Sequence, residues 1–80
     1  MICEIYSIKD TKVAYAQPFY MHNDQEATRA FKALCKDKDT NMGKWPQDYE
    51  LWHIGQWDDE LGVITTTGPQ FLLSGIEAGK

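Results

Sequence analysis

His53 stands five residues from both Asp48 and Asp58, with Asp59 beside the latter. An imidazole among carboxylates is the material of proton transfer. Asp58, Asp59 and Glu60 are consecutive, and clustered carboxylate oxygens suit a hard cation. Neither set is accompanied by a Ser or Cys nucleophile in a recognisable motif. Acids also favour hairpin turns because their side chains hydrogen-bond the local backbone. The nitrogen and sulfur ligands are Cys3, Cys35, His22 and His53, and no two have the close spacing that builds a zinc site. The residues therefore predict no catalysis, no metal and no cofactor. Both cysteines read as small core residues kept reduced.

A second chemistry is stacking. The stretch "YELWHIGQWDDELGV", Tyr49 to Val63, holds three large aromatic residues, Tyr49, Trp52 and Trp57. Strand alternation puts Tyr49, Leu51, His53, Gly55 and Trp57 on one face and Glu50, Trp52, Ile54 and Gln56 on the other. Exposed rings on a sheet stack nucleic-acid bases at about 1–3 kcal/mol each, and they equally anchor protein interfaces. A third possibility is that all are core, with a bulge rotating the strand. The neighbouring acids argue against phosphate here, so Tyr49, Trp52 and Trp57 are assigned to packing or an interface.

The third chemistry is phosphate contact. Arg29, Lys32 and Lys36 follow at i, i+3 and i+7 and fall within about 60° of one another on a helix. Lys44 and Trp45 add a charge and a ring in the loop beyond. Such a set binds a phosphate backbone without reading sequence, although a solvated outer face has the same pattern. "GKWP" is no phosphate loop, since it lacks the required glycine spacing and Ser/Thr.

These residues need elements to position them. "ICEIYSI", Ile2 to Ile8, and "VAYAQPFY", Val13 to Tyr20, read as a hairpin around the polar turn Lys9 to Lys12. Pro18 cannot donate a ladder bond, so the second strand is an edge there, or pairing stops. A helix is predicted over Asp24 to Lys38. Asn23 and Glu26 form a capping box, and Ala27, Ala30, Phe31 and Leu34 form the apolar stripe. Asp39 to Asp48 reads as a long loop, and long loops are often functional. Tyr49 to Trp57 and Gly62 to Thr67 read as strands around "DDELG", with Gly62 in the left-handed turn position. Pro69 to Gly75 suggests a short last strand, and "IEAGK" a frayed tail. The order β-β-α-β-β, with a possible fifth strand, predicts an α+β fold: one antiparallel sheet of two hairpins, one helix on one face.

Eighty residues make one domain, 1–80, with a thin core. No stretch has the length of a membrane helix, and the N-terminus lacks the pattern of a signal peptide. The net charge of −4 is unevenly spread. Lys9 to Lys44 carries +2, whereas Trp45 to Gly79 holds no base and carries −6. A nucleic acid is thus expected to meet the basic middle of the chain. Trp45 is the expected stacking residue.

The stretch "MGKWPQDYELWHIGQWDDELG" resembles the signature of the small nonstructural protein of gokushovirus-type phages, which are single-stranded DNA phages of the microvirus group. The matching positions are Gly43, Lys44, Pro46, Asp48, Tyr49, Leu51, Ile54, Gly55, Asp58, Asp59 and Gly62. "IYSIKD", the "AxRAF" of the helix and a late "PxxL" occur in the expected order. The resemblance implies a DNA-binding or DNA-synthesis protein of the host cytoplasm, outside the virion. It would act when genome replication switches to single-strand synthesis and packaging. No catalytic residues carry over. The combined expectation is a non-enzymatic, homo-oligomeric accessory factor. Its partners would be single-stranded DNA, bound weakly or with assistance, and a phage replication or capsid protein. The alternative is a homodimeric adaptor docking on the replication initiator or procapsid without touching DNA.

Overall fold

The computed structural model describes residues 1–80, apart from the side chain of Thr67. Four strands form one antiparallel sheet in the order β2-β1-β3-β4. They are β1 (Ile2–Asp10), β2 (Phe19–Met21), β3 (Tyr49–Asp58) and β4 (Val63–Ser74). Three helices, α1 (Asp24–Lys36), α2 (Asn41–Lys44) and α3 (Gly75–Ala78), complete the chain with a 3-10 turn at Pro46–Asp48. The α+β class and the two-hairpin sheet are as the sequence predicts.

The first hairpin is interrupted where Pro18 removes a donor. Tyr15 bridges Lys9, and regular pairing resumes only at Phe19, opposite Tyr6. The predicted strand from Val13 to Tyr20 is therefore a bridge, a break and a three-residue strand. In the second hairpin, the Asp58 carboxylate accepts from the backbone of Glu60 and Leu61, and Gly62 closes the turn at φ 66. The fourth and possible fifth strands are one strand, β4. It bulges between Thr66 and Gln70, spending three residues opposite Ile54 alone.

Half of the expected capping box of α1 forms: Asn23 accepts from the Glu26 backbone at 2.9 Å, whereas the Glu26 carboxylate turns to the His22 backbone and ring and not to the Asn23 backbone. The helix stops at Lys36, two residues short of the prediction. Thr40 explains this, because its hydroxyl lies 2.7 Å and 2.8 Å from the Leu34 and Asp37 carbonyls. The same oxygen caps α2 by accepting from Gly43. The segment Asp39 to Asp48 is thus structured, not a loop. The C-terminus is a further correction. Ser74 caps α3, Ala78 is fully buried, and α3 packs on α1 instead of fraying.

The core lies between the sheet and these helices. Tyr6, Phe31 and Leu51 are its largest fully buried side chains. Tyr6 also ties sheet to helix, donating its hydroxyl to Asp24 at 2.6 Å. Burial, reinforced by that bond, pushes the Tyr6 phenol well above its ordinary value.

Candidate nucleic-acid interface

The apolar stripe of α1 faces the core through Ala27, Phe31 and Cys35. That leaves Arg29, Lys32 and Lys36 on the exposed outer side. Arg29 and Lys32 share a shallow depression with Asp24, Gln25 and Thr28. Lys36 follows one turn on, at the C-terminal end, where the helix dipole favours a cation. Lys44 ends α2, which packs against α1, and Trp45 caps it with about half its surface exposed. Four cations and one ring thus belong to the helical layer of the molecule.

Among the described residues, the ion pairs involve the N-terminal amine, His22 and His53, but no Lys or Arg side chain. The cations of α1 and α2 are free to meet phosphate. Many acids, by contrast, serve the fold. Asp24 holds Tyr6, Asp58 shapes its turn, and Glu50 accepts from the Trp52 indole. Asp59 pairs with the N-terminal amine at 2.6 Å and, with Glu60, holds that amine above its usual pKa. The hydrogen bond from His22 keeps the Glu26 carboxyl below the usual range.

The aromatic residues lie elsewhere. Cα pairing fixes which face each occupies, because directly opposed residues share a side of the sheet. Trp52 opposes Ser7 and Phe71, and Trp57 opposes Cys3 and Ile64. Both tryptophans therefore sit on the face away from the helices. Strict alternation had put them on opposite faces, but β3 bulges at Ile54, which has no partner between Ile5–Gly55 and Tyr6–His53. The bulge reverses the parity of everything after it. Gly55 has no room for a side chain, because a Cβ there would run into the Thr65 carbonyl. Tyr49 lies on the other side, packed against the core. The three predicted interface residues thus do not share one surface.

Trp52 is the centre of an aromatic tier that sequence reasoning missed. Tyr15 and Phe71 meet it edge-on at 5.9 Å and 5.6 Å. The Lys9 ammonium lies 5.5 Å from its ring centre and 5.2 Å from that of Tyr15. No local pattern signals this tier, because the register that opposes Lys9 to Glu50, and so seats the cation beside the indole, joins distant segments of the chain.

The proton-transfer set drawn from the sequence is not assembled. His53 pairs with Glu4 at 2.9 Å and meets the Tyr6 ring edge-on, away from Asp48, Asp58 and Asp59. Gln56 holds the same Glu4 carboxylate from the next position along that face. The four N and S ligands are likewise dispersed. Cys35 is buried under α1, Cys3 lies on the opposite face of the sheet, and His22 is exposed before the helix.

A protein-family model described as Phage ORF5 protein matches residues 3–78. That span takes in every strand pairing except that of Ile2, and the whole helical layer. No curated protein and no solved structure matches significantly.

Proposed function

We propose, from the premise that this chain belongs to the Phage ORF5 protein family, that it is a non-enzymatic accessory factor binding single-stranded DNA through its helical layer. Binding would be weak, or assisted by a phage replication or capsid protein, during the switch from genome replication to single-strand synthesis and packaging. The observation that carries the reading is the set of unpaired cations, Arg29, Lys32, Lys36 and Lys44, exposed on one layer beside Trp45. Phosphates displace the counterions of such a set without needing a shaped pocket. Trp45 offers a ring face to one base. The acids of the β3–β4 turn lie at the far end of the hairpin and leave this layer accessible.

Oligonucleotide binding at two salt concentrations tests the reading. Affinity is expected to fall steeply as salt rises. Arg29→Ala/Lys32→Ala/Lys36→Ala should weaken binding and flatten the salt dependence by up to about one slope unit per lost contact. Trp45→Ala should weaken it without changing the slope. If the wild-type chain binds no oligonucleotide at either salt, the direct DNA reading fails and an adaptor role replaces it.

A further inference from the structure

Among the described residues, no helix or strand covers the face of the sheet turned away from the helices, although Ser7 at its β1 side is buried and donates its hydroxyl to the Ala16 carbonyl. This face carries Tyr15, Tyr20, Trp52, Trp57, Ile64 and Phe71. Tyr20, Ile64 and Phe71 remain 52%, 57% and 48% exposed, although their sheet neighbour Ile5 is buried. We infer that this face is the dimerisation surface, and that its occupant is the same face of a second copy.

Two arguments select that occupant. The first is charge. Among the described residues, Lys9 and Glu50 are the only charged strand residues on this side, and they stand directly opposite each other. Asp58 and Glu4 point to the helix side, opposite Val63 and Met21 respectively. A neutral face gives no long-range attraction to a chain of phosphates or to a strongly charged partner. Against its own copy it brings no net repulsion, and a two-fold axis places neutral rings and methyl groups against their equivalents.

The second argument is area. Strands β1, β3 and β4 are nine, ten and twelve residues long. At about 3.4 Å per residue and 4.8 Å per strand, they present about 500 Å² in flat projection. Two copies bury about 1,000 Å² before side-chain relief is added, which reaches the lower bound of a specific interface. Two twisted sheets stack face to face at about 10 Å with strands near 30° apart, as in a β-sandwich. In that arrangement the two α1 helices face outward on opposite sides. Their basic surfaces stay accessible, so this inference stands independently of the DNA reading.

Sedimentation of the full chain over a wide concentration range decides the matter. The wild type is expected at twice the 9.2 kDa chain mass. Ile64→Glu/Phe71→Glu should weaken association by about a hundredfold or more, since it buries unpaired carboxylates on both sides. Circular dichroism should show the fold retained. Tyr20→Glu, across the same face, supplies an independent route to the monomer should the double variant not fold. Val13→Glu, in the exposed first turn, should leave the dimer intact. A wild type that stays at the single-chain mass throughout overturns the inference. So does a dimer unaffected by folded Tyr20→Glu and Ile64→Glu/Phe71→Glu. If those variants lose oligonucleotide affinity with no change in mass, the face belongs to nucleic acid and the inference is again overturned.

Discussion

The two faces of the sheet are built from the same strands and have opposite fates. On the helix side, Tyr6, Leu51 and Phe31 are dry, and each polar group among them is tied down: Tyr6 to Asp24, His53 to Glu4, Gln56 to Glu4. On the far side, the rings of Tyr15, Trp52 and Phe71 shelter one another and are capped by an ammonium. The difference shows that apolar content alone does not define a core. A face becomes core when an element with a matching stripe covers it. One amphipathic helix and two short ones suffice for one face of an 80-residue chain and no more.

The largest way to break this comparison is to truncate one phenylalanine on each side. Phe31→Ala should cost about 3–5 kcal/mol in urea unfolding, because the ring is fully enclosed. Phe71→Ala, half exposed, should cost about 1 kcal/mol or less at low protein concentration. If the open face is buried in a dimer, the Phe71→Ala penalty grows with concentration and the Phe31→Ala penalty does not. Equal costs at low concentration would erase the distinction between the faces.

The next effect comes from the turn that sets the register of β3 against β4, and hence both faces together. Gly62 sits at φ 66 with open space around its Cα. The cost of a side chain there is backbone strain and not a clash. Gly62→Val should lose about 1–2 kcal/mol, because a β-branched residue fits the left-handed region poorly. Gly62→Asn should lose only a few tenths, since Asn visits that region readily. Urea midpoints that coincide for the two variants would show that the turn does not hold its register.

Much of the covered face could be read from the residues, and little of the open one. The stripe of α1 and its Asn23 cap were legible because both are local patterns with a fixed period. The placement of Trp57 was not. It depends on one unpaired residue, Ile54, and a bulge leaves no periodic trace beyond the glycine beside it. The docking of α3 was also hidden. Four residues cannot form a stable helix alone, so its existence rests on the burial of Ala78 against α1. The basic positions Arg29, Lys32 and Lys36 could be placed together because helix geometry alone determines their spacing. The tier of Tyr15, Trp52 and Phe71 could not, since its members come from three separate segments of the chain.

A smaller effect tests how the covered face is fastened to its helix. Tyr6→Phe removes one partly buried hydrogen bond to Asp24 and should cost about 1 kcal/mol near neutral pH. The Tyr6 phenol is raised in the folded state, so folding favours its neutral form. That contribution is complete below the unfolded tyrosine pKa and is lost as pH rises beyond it. Wild-type stability should therefore fall as pH climbs above about 10, and the Tyr6→Phe variant should fall less steeply. Parallel pH profiles for the two proteins would remove Tyr6 as the source of the alkaline loss.

The gentlest probe leaves the structure unaltered, because each face carries or adjoins one free thiol. Cys3 lies on the open face opposite Trp57 and is partly accessible, whereas Cys35 is buried beneath α1. Burial pushes the Cys35 thiol up, which lowers its thiolate fraction as well as its access. Alkylation of Cys35 must await an opening of the helix–sheet core, whose free energy approaches that of global unfolding. Cys3 needs only a local side-chain adjustment. Followed by mass spectrometry, Cys3 should react faster than Cys35 by a factor on the order of 10² or more. The concentration dependence then separates the faces again. Pairing of two open faces would slow Cys3 as protein concentration rises, while Cys35, already enclosed within its own chain, keeps its rate. A Cys3 rate independent of concentration over a range where the mass doubles would put the dimer contact somewhere other than this face.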